Sequence, residues 1–222
     1  MDQAYRNQSE KLVESLAAGG IEDSRVLDAF AAVSRHLFVP EALKGNAYSN
    51  TSLPIGEGQM ISQPLTVARM LQLLRLEGGE RVLEVGTGSG FQAALLARLC
   101  EQVFTVERIE NLGRRARRVL DSLGIYNVNV RIGDGTMGWS RYQPYDAIVV
   151  AAAGPAPPPV LLAQLAPGGR LVMPEGDSNV ATMVLVEKSG DGYRKISGED
   201  CRFVPLIGKE AWSDESSAAN GG

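Results

Sequence analysis

Carboxylates and glycines at fixed spacing carry the most chemistry in this sequence. The run Arg81 to Gly90, RVLEVGTGSG, sets Glu84 just ahead of Gly86, Gly88 and Gly90, with Thr87 between the first two glycines. Alternating glycines after an apolar run suit a tight turn in which the backbone comes close to a ligand and offers it free N–H groups. The spacing is G-x-G-x-G, not the G-x-G-x-x-G of a dinucleotide site. It requires no phosphate: a ligand bearing an ammonium and a carboxylate could use the surroundings of Glu84 and the N–H groups of the turn. Farther along, Glu107 is suited to accept hydrogen bonds from both ribose hydroxyls of a nucleoside. Asp134, followed by Gly135, is placed either to accept from an adenine amino group or to order its own loop.

These residues need elements that bring them together. The stretch from Arg81 reads as a buried strand, a glycine turn and a helix from Phe91. Gln102–Glu107 reads as a second strand and Asn111–Leu123 as a helix. Val128–Asp134 makes a third strand and Tyr145–Ala153 a fourth. A helix over Pro158–Leu165 and a strand over Gly169–Pro174 continue the alternation. The expected fold is α/β: a Rossmann-like, doubly wound and mostly parallel sheet, with ligands at the carboxyl ends of its strands. After Val180 two strands joined by Ser189-Gly190-Asp191-Gly192 predict an antiparallel C-terminal edge. Ahead of the sheet, Gln8–Ala18 and a helix capped by Asp23 form an N-terminal helical extension. Residues 47–64 lack periodicity yet carry Leu53, Ile55, Met60 and Ile61, which predicts an ordered binding loop. Thr66–Leu74 then forms an amphipathic helix. One domain over residues 1–210 is expected, with extension and loop over 1–75, core over 80–208 and a polar tail over 211–222.

Composition narrows the chemistry. The chain has 222 residues, 44% of them hydrophobic, enough for one sizeable core. Its net charge of −4 argues against the basic surface of a nucleic-acid binder. His36 is the only histidine, so a His-based triad or multi-His metal site is excluded, and no metal is expected. Nothing near it in the sequence supplies a catalytic partner, which favours a structural or capping role. Cys100 and Cys201 match no metal spacing and read as reduced thiols of a cytoplasmic protein. No apolar run reaches membrane-spanning length. In the helix after Glu107, Leu112, Ala116, Val119, Leu120 and Leu123 form the buried stripe, which leaves Arg114, Arg115, Arg117 and Arg118 mainly as solvated charge.

The set Glu84-x-Gly86-x-Gly88-x-Gly90, Glu107 and Gly133-Asp134-Gly135 resembles the S-adenosylmethionine-dependent methyltransferases of the Rossmann-like class. A narrower resemblance lies outside that core. Pro54-Ile55-Gly56-x-Gly58-Gln59-x-Ile61-Ser62-Gln63-Pro64 is similar to the signature loop of the protein-L-isoaspartate O-methyltransferase family. Phe38-Val39-Pro40, Gly138-Trp139, Pro144-Tyr145-Asp146, Gly168-Gly169-Arg170-Leu171-Val172 and Phe203-Val204-Pro205-Leu206 follow in the order that family shows. Met60 stands where the family usually has threonine, Asn50 where aspartate is common, and Ala151 where threonine tends to come first. These departures bear on substrate preference; Ser62, the family's active-site serine, is retained.

The resemblance implies S-adenosylmethionine as cofactor and L-isoaspartyl residues of damaged proteins and peptides as substrate. The free α-carboxylate would take the methyl group, which initiates repair. That nucleophile is already ionised at neutral pH, so no general base is required. Glu84, Gly86, Thr87, Gly88, Gly90, Glu107, Asp134 and Gly135 would hold the cofactor. Ile55, Gly56, Gln59 and Ser62 would meet the substrate, with Ser62 orienting the carboxylate by its hydroxyl. A helix cap ahead of Gln63-Pro64 is the alternative role for Ser62, and both can hold. A monomer without nucleic-acid or membrane partners is expected. A dehydrogenase, another methyl acceptor, and a cofactor-binding protein without catalysis are the competing readings.

Overall fold

A computed structural model describes residues 3–177, 179–190 and 192–213. Seven strands form the central sheet: β3 (Arg81–Val85), β4 (Gln102–Glu107), β5 (Val128–Ile132), β6 (Tyr145–Val150), β7 (Leu165–Gly176), β8 (Ala181–Ser189) and β9 (Gly192–Cys201). Their spatial order is β5-β4-β3-β6-β7-β8-β9. β5, β4, β3, β6 and β7 run parallel, while β8 and β9 add antiparallel at one edge. The chain moves outward from β3 to β5 and then returns to β6 on the other side of β3. That reversal opens a crevice at the carboxyl ends of β3 and β6, where open α/β sheets bind ligands. Four of the five residues of β3 are buried, as befits a strand covered on both faces. The edge strand β9 is exposed along nearly its whole length and carries Arg194, Lys195, Glu199 and Asp200, charges that discourage further strand addition. Asp191, in the expected turn before it, lies outside the described residues.

Helices α1 (Gln3–Ala18), α2 (Ser24–Ala32) and α3 (Pro64–Leu74) cover one face together with α4 (Phe91–Leu99); α5 (Glu110–Ser122) and α6 (Pro159–Ala163) complete the layers. Asp23 caps α2 as expected, its side chain accepting from the Arg25 N–H at 2.9 Å. The sequence left residues 47–64 without regular structure. They contain a short antiparallel hairpin, β1 (Leu53–Gly56) and β2 (Gln59–Ile61), with Leu53 and Ile55 turned inward. Strands this short offer too few alternating positions for periodicity to show.

The N-terminal extension does more than cover the sheet. Phe30 and Phe38 pack edge-on against Phe91 at 5.8 and 5.5 Å between ring centroids, which fixes the start of α4 just after the glycine turn. His36 is buried, stacked on Tyr5 at 3.9 Å and bonded through Nδ1 to the Tyr48 hydroxyl at 2.8 Å. Burial lowers its pKa, with Lys44 adding to the effect, so it is a neutral packing residue. Both cysteines are free thiols.

Two expectations need correction. Arg115 and Arg117 are not solvated charge: Arg115 donates to the Ile55 carbonyl, and Arg117 donates to the Val128 and Ile125 carbonyls while pairing with Asp121. Only the Cα position of an arginine is set by the helix; its long stem lets the head turn back to unfilled carbonyls. Secondly, Ala211 and Trp212, read as the start of a polar tail, are tied to the core. The Trp212 N–H donates to the Leu206 carbonyl at 3.0 Å and its carbonyl accepts from Gly208 at 3.1 Å. Residues 214–222 of that tail lie outside the described residues.

Candidate active site

The glycine turn follows β3 directly. Gly86, Gly88 and Gly90 have φ of +93°, +53° and +89°, the left-handed region that glycine enters without penalty. Gly90 is doubly constrained, because a Cβ there would come within 3.1 Å of Ala116 on α5. The turn is pinned to its neighbours: the Gly86 N–H donates to the Val106 carbonyl at 2.9 Å and the Ala151 N–H to the Val85 carbonyl at 2.8 Å. The Thr87 and Ser89 N–H groups donate to nothing among the described residues and remain available to an anion.

Glu107 ends β4 beside this turn. Its Oε2 accepts from the Gly88 N–H at 2.8 Å and its Oε1 from the Ile109 N–H at 2.9 Å. Each oxygen keeps a second lone pair, so the carboxylate is a fixed acceptor pair suited to a vicinal diol. Glu84 is fully buried one layer deeper and does not line the cleft. Its Oε2 accepts from Thr105 Oγ1 at 2.6 Å, and Thr105 Oγ1 is 2.6 Å from Thr87 Oγ1, so a short hydrogen-bonded chain connects Glu84 to the turn. Glu84 Oε1 has no partner among the described residues. Burial pushes the Glu84 carboxyl up to about 8, against the hydrogen bond from Thr105, and the nearby charge of Glu107 adds to the rise.

One cleft joins the turn to the hairpin. Gly86, Thr87, Gly88, Glu107 and Gly135 line it from the sheet side, and Gln59, Met60 and Ser62 from the hairpin side. Ile55 and Gly56 stand behind that wall: Ile55 is fully buried, its Cδ1 positioned 3.6 Å from where a Gly88 Cβ would be. Gly90 supports the turn from outside the cleft. Asp134 is also outside it. Its Oδ1 accepts from the Thr136 N–H and hydroxyl at 2.9 and 2.6 Å, and its Oδ2 from the Lys209 N–H at 2.9 Å. Of its two open roles, ordering its own loop is the one these bonds fill. They depress its pKa against the opposing effect of desolvation, the largest single contribution.

Ser62 lines the cleft with a hydroxyl that makes no hydrogen bond among the described residues. It does not cap α3. Gln63 occupies the N-cap position, and Asn50 Oδ1 reaches across to accept from the Leu65 N–H at 3.0 Å. The cap reading of Ser62 is therefore replaced by a remote cap from Asn50. Three contributions escaped the sequence. Val204, Pro205, Leu206 and Ile207 close the cleft opposite the hairpin, because the segment after β9 bonds back to Ala153. Gln92, in the first turn of α4, lines the cleft with a buried, unpartnered Nε2. Arg35, fully buried, holds the hairpin's base from behind. Only the Phe203-Val204-Pro205-Leu206 run gave any earlier signal.

The architecture has clear relatives. The sequence pattern of the protein-L-isoaspartate(D-aspartate) O-methyltransferase family matches residues 7–211. The chain belongs to this family. The protein-L-isoaspartate O-methyltransferase of Trichlorobacter lovleyi is 52% identical over 200 residues, covering 90% of this chain and 92% of that one. That of Halorhodospira halophila is 54% identical over 200 residues, covering 89% and 90%. A solved protein-L-isoaspartate O-methyltransferase superposes with a TM-score of 0.85 at 28% identity, over 91% of this chain and 67% of that one. A Plasmodium falciparum structure in complex with S-adenosyl-L-homocysteine shares the fold, with a TM-score of 0.78 at 24% identity over 89% and 97%.

The family's cofactor is S-adenosylmethionine, and the residues present fit it. The carboxylate of an amino-acid head needs N–H donors, which Thr87, Ser89 and the orphaned Gln92 Nε2 supply. A ribose diol needs a paired acceptor, which Glu107 presents. Among the described residues no cluster of His, Cys, Asp and Glu could hold a metal. None of the described helices is long and apolar enough to cross a membrane.

Proposed function

We infer that this chain methylates the free α-carboxylate of L-isoaspartyl residues in damaged proteins and peptides, with S-adenosylmethionine as donor. The observation that carries the residue-level reading is the single cleft whose two walls differ in chemistry. The turn and Glu107 supply fixed donors and acceptors for a nucleoside and an amino-acid head; the hairpin supplies a free hydroxyl at Ser62.

When bound, the cofactor supplies an electrophilic methyl group on a sulfonium. An oxygen of the substrate carboxylate would bond to that carbon as the carbon–sulfur bond breaks, the electron pair of that bond passing to sulfur. The products are a methyl ester and a neutral thioether. No proton moves, and no base is needed. Glu107, the carboxylate that lines the cleft, is already held by two N–H groups, which keeps it in an acceptor role.

The protein's task is alignment and exclusion of water. Glu107 holds the ribose. Gly86, Thr87, Gly88 and Gly135 shape the donor side, with Gly90 supporting their turn and Glu84 bracing it from beneath through Thr105. Asp134 ties down the loop that carries Gly135. Ser62 donates to one oxygen of the substrate carboxylate and so aims the other at the methyl group. Gln59 and Met60 form the lip past which the peptide enters, and Ile55 with Gly56 backs it. The reading extends to a cytoplasmic monomer without a nucleic-acid partner, in line with the net charge of −4. Methyl transfer from labelled S-adenosylmethionine to an isoaspartyl peptide and to its normal aspartyl counterpart tests the assignment. Label in the isoaspartyl peptide alone is expected; equal label in both, or in neither, contradicts it.

A further inference from the structure

We propose that Arg35 is the positive charge that selects a carboxylate at the acceptor end of the cleft, its guanidinium favouring the substrate's α-carboxylate from behind Ser62. The proposal rests on Ser62 marking that end.

Arg35 has no exposed surface. Its Nη1 donates to the Ala47 carbonyl and its Nη2 to the carbonyls of Thr51 and Ser62, at 3.1 and 3.0 Å for the latter two. Its Nε has no partner, and no carboxylate is in ion-pair reach among the described residues. The nearest titratable neighbours supply no anion at neutral pH: Tyr48 is a phenol whose pKa burial raises, and His36 is held neutral. Lys44 is paired with the exposed Glu41 at 2.7 Å, and neither bonds to Arg35. Burying an unpaired charge is costly, and carbonyl dipoles offset only part of that cost. Bracing an irregular segment needs hydrogen bonds but not a charge. Desolvation lowers the Arg35 pKa to about 10, so the guanidinium is still protonated at neutral pH.

Two contacts tie this charge to the cleft. Ser62, whose carbonyl it holds, lines the cleft, and so does Phe91, whose ring centroid is 5.6 Å from Arg35 Cζ. The cleft is thus anionic at Glu107 and cationic behind Ser62. In such a surrounding a charge acts over several ångströms with little screening. Its effect belongs to binding and not to the chemical step. Methyl transfer neutralises the carboxylate, so a fixed positive charge stabilises the bound substrate more than the transition state. Loss of Arg35 then raises KM for the peptide and leaves kcat unchanged or higher, while a bracing role alone would lower kcat through a misplaced Ser62.

The test compares two isoaspartyl peptides, one with a free α-carboxylate and one with an α-carboxamide, binding to the protein saturated with S-adenosylhomocysteine. In the parent the free acid binds about tenfold or more tightly than the amide; in Arg35→Met that preference falls to about twofold or less, and in Arg35→Lys it largely persists. Equal weakening of both peptides, which leaves the ratio intact, overturns the proposal, as does a loss confined to S-adenosylhomocysteine affinity. If Arg35→Met does not fold, a 13C label in the α-carboxylate of the bound peptide answers the question in the parent. Its titration midpoint should lie about one unit or more below that of the free peptide, and stay low in Ser62→Ala. A midpoint at or above the free value overturns the proposal. Should Ser62→Ala leave turnover untouched while the Arg35 ratio still collapses, the role of Ser62 fails and the role of Arg35 stands.

Discussion

The glycine turn and the β1–β2 hairpin face each other across one cleft, but different forces hold them. The turn grows out of the central strand β3, and its position follows from the ladder to β4 and β6, with Glu107 bonded into it. The hairpin has no ladder to the sheet; Leu53, Ile55 and Ile61 anchor it in the core. Side chains from outside add polar clamps: Arg35 to the Ser62 carbonyl, Arg115 to the Ile55 carbonyl, and Asn111 Nδ2 to the Glu57 carboxylate at 3.1 Å. The contrast assigns tasks. A wall built from the sheet gives the constant geometry a cofactor needs, and a hairpin anchored at its base but exposed from Gly56 to Gly58 and at Met60 can give way there to a protein chain.

Breaking the cofactor wall gives the largest expected effect. Glu107→Ala removes a charged acceptor of two ribose hydrogen bonds, each worth about 1.5 kcal/mol or more. The Kd for S-adenosylhomocysteine should rise about a hundredfold by calorimetry. Because the turn loses its bond to Gly88 as well, this is a lower bound, whereas peptide KM at saturating cofactor should change far less.

Glu84 sharpens the same side through pH. In the native chain burial pushes its carboxyl up to about 8 from the ordinary 4.5, so between those limits the folded state binds more protons than the unfolded state. Stability from this group therefore falls as pH rises through that window. The thermal midpoint of the cofactor-free protein should drop from pH 5 to pH 8, and Glu84→Gln should flatten the slope. An unchanged slope would mean that Glu84 is not the buried proton acceptor.

Releasing the hairpin gives the smallest effect of the three. Arg115→Met removes one charge-assisted bond to the Ile55 carbonyl. At about 1 kcal/mol, peptide KM should rise about fivefold with cofactor affinity nearly constant. A matching loss of cofactor affinity would show that the two walls are not independent.

The same contrast explains what could be read from the sequence. The parallel strands, the turn and Glu107 were legible because apolar runs and glycines encode sheet and turn locally. β4 was read at its observed bounds, and helices were displaced by a few residues at their ends. Residues 47–64 were legible as an ordered loop, but its two short strands and its clamps were not, since the clamps are contacts distant in the chain. Arg115 looked solvated because its helical position says nothing about where its head ends. A cap stood as the alternative role for Ser62 because the group that caps the helix, Asn50, lies twelve residues upstream. Asp134 had two chemically reasonable roles, and only the bonds to Thr136 and Lys209 separate them.

The central claim is that the turn side holds the methyl donor while Ser62, on the hairpin side, aims the acceptor. Single-turnover methyl transfer to an isoaspartyl peptide by Ser62→Ala, with the Kd for S-adenosylhomocysteine measured on the same preparation, tests it most directly. The account predicts a rate lower by about a hundredfold, the scale seen when one well-aimed donor is removed from an active site, with the Kd unchanged. An unaltered rate, or a rate that falls only in step with the Kd, would contradict it.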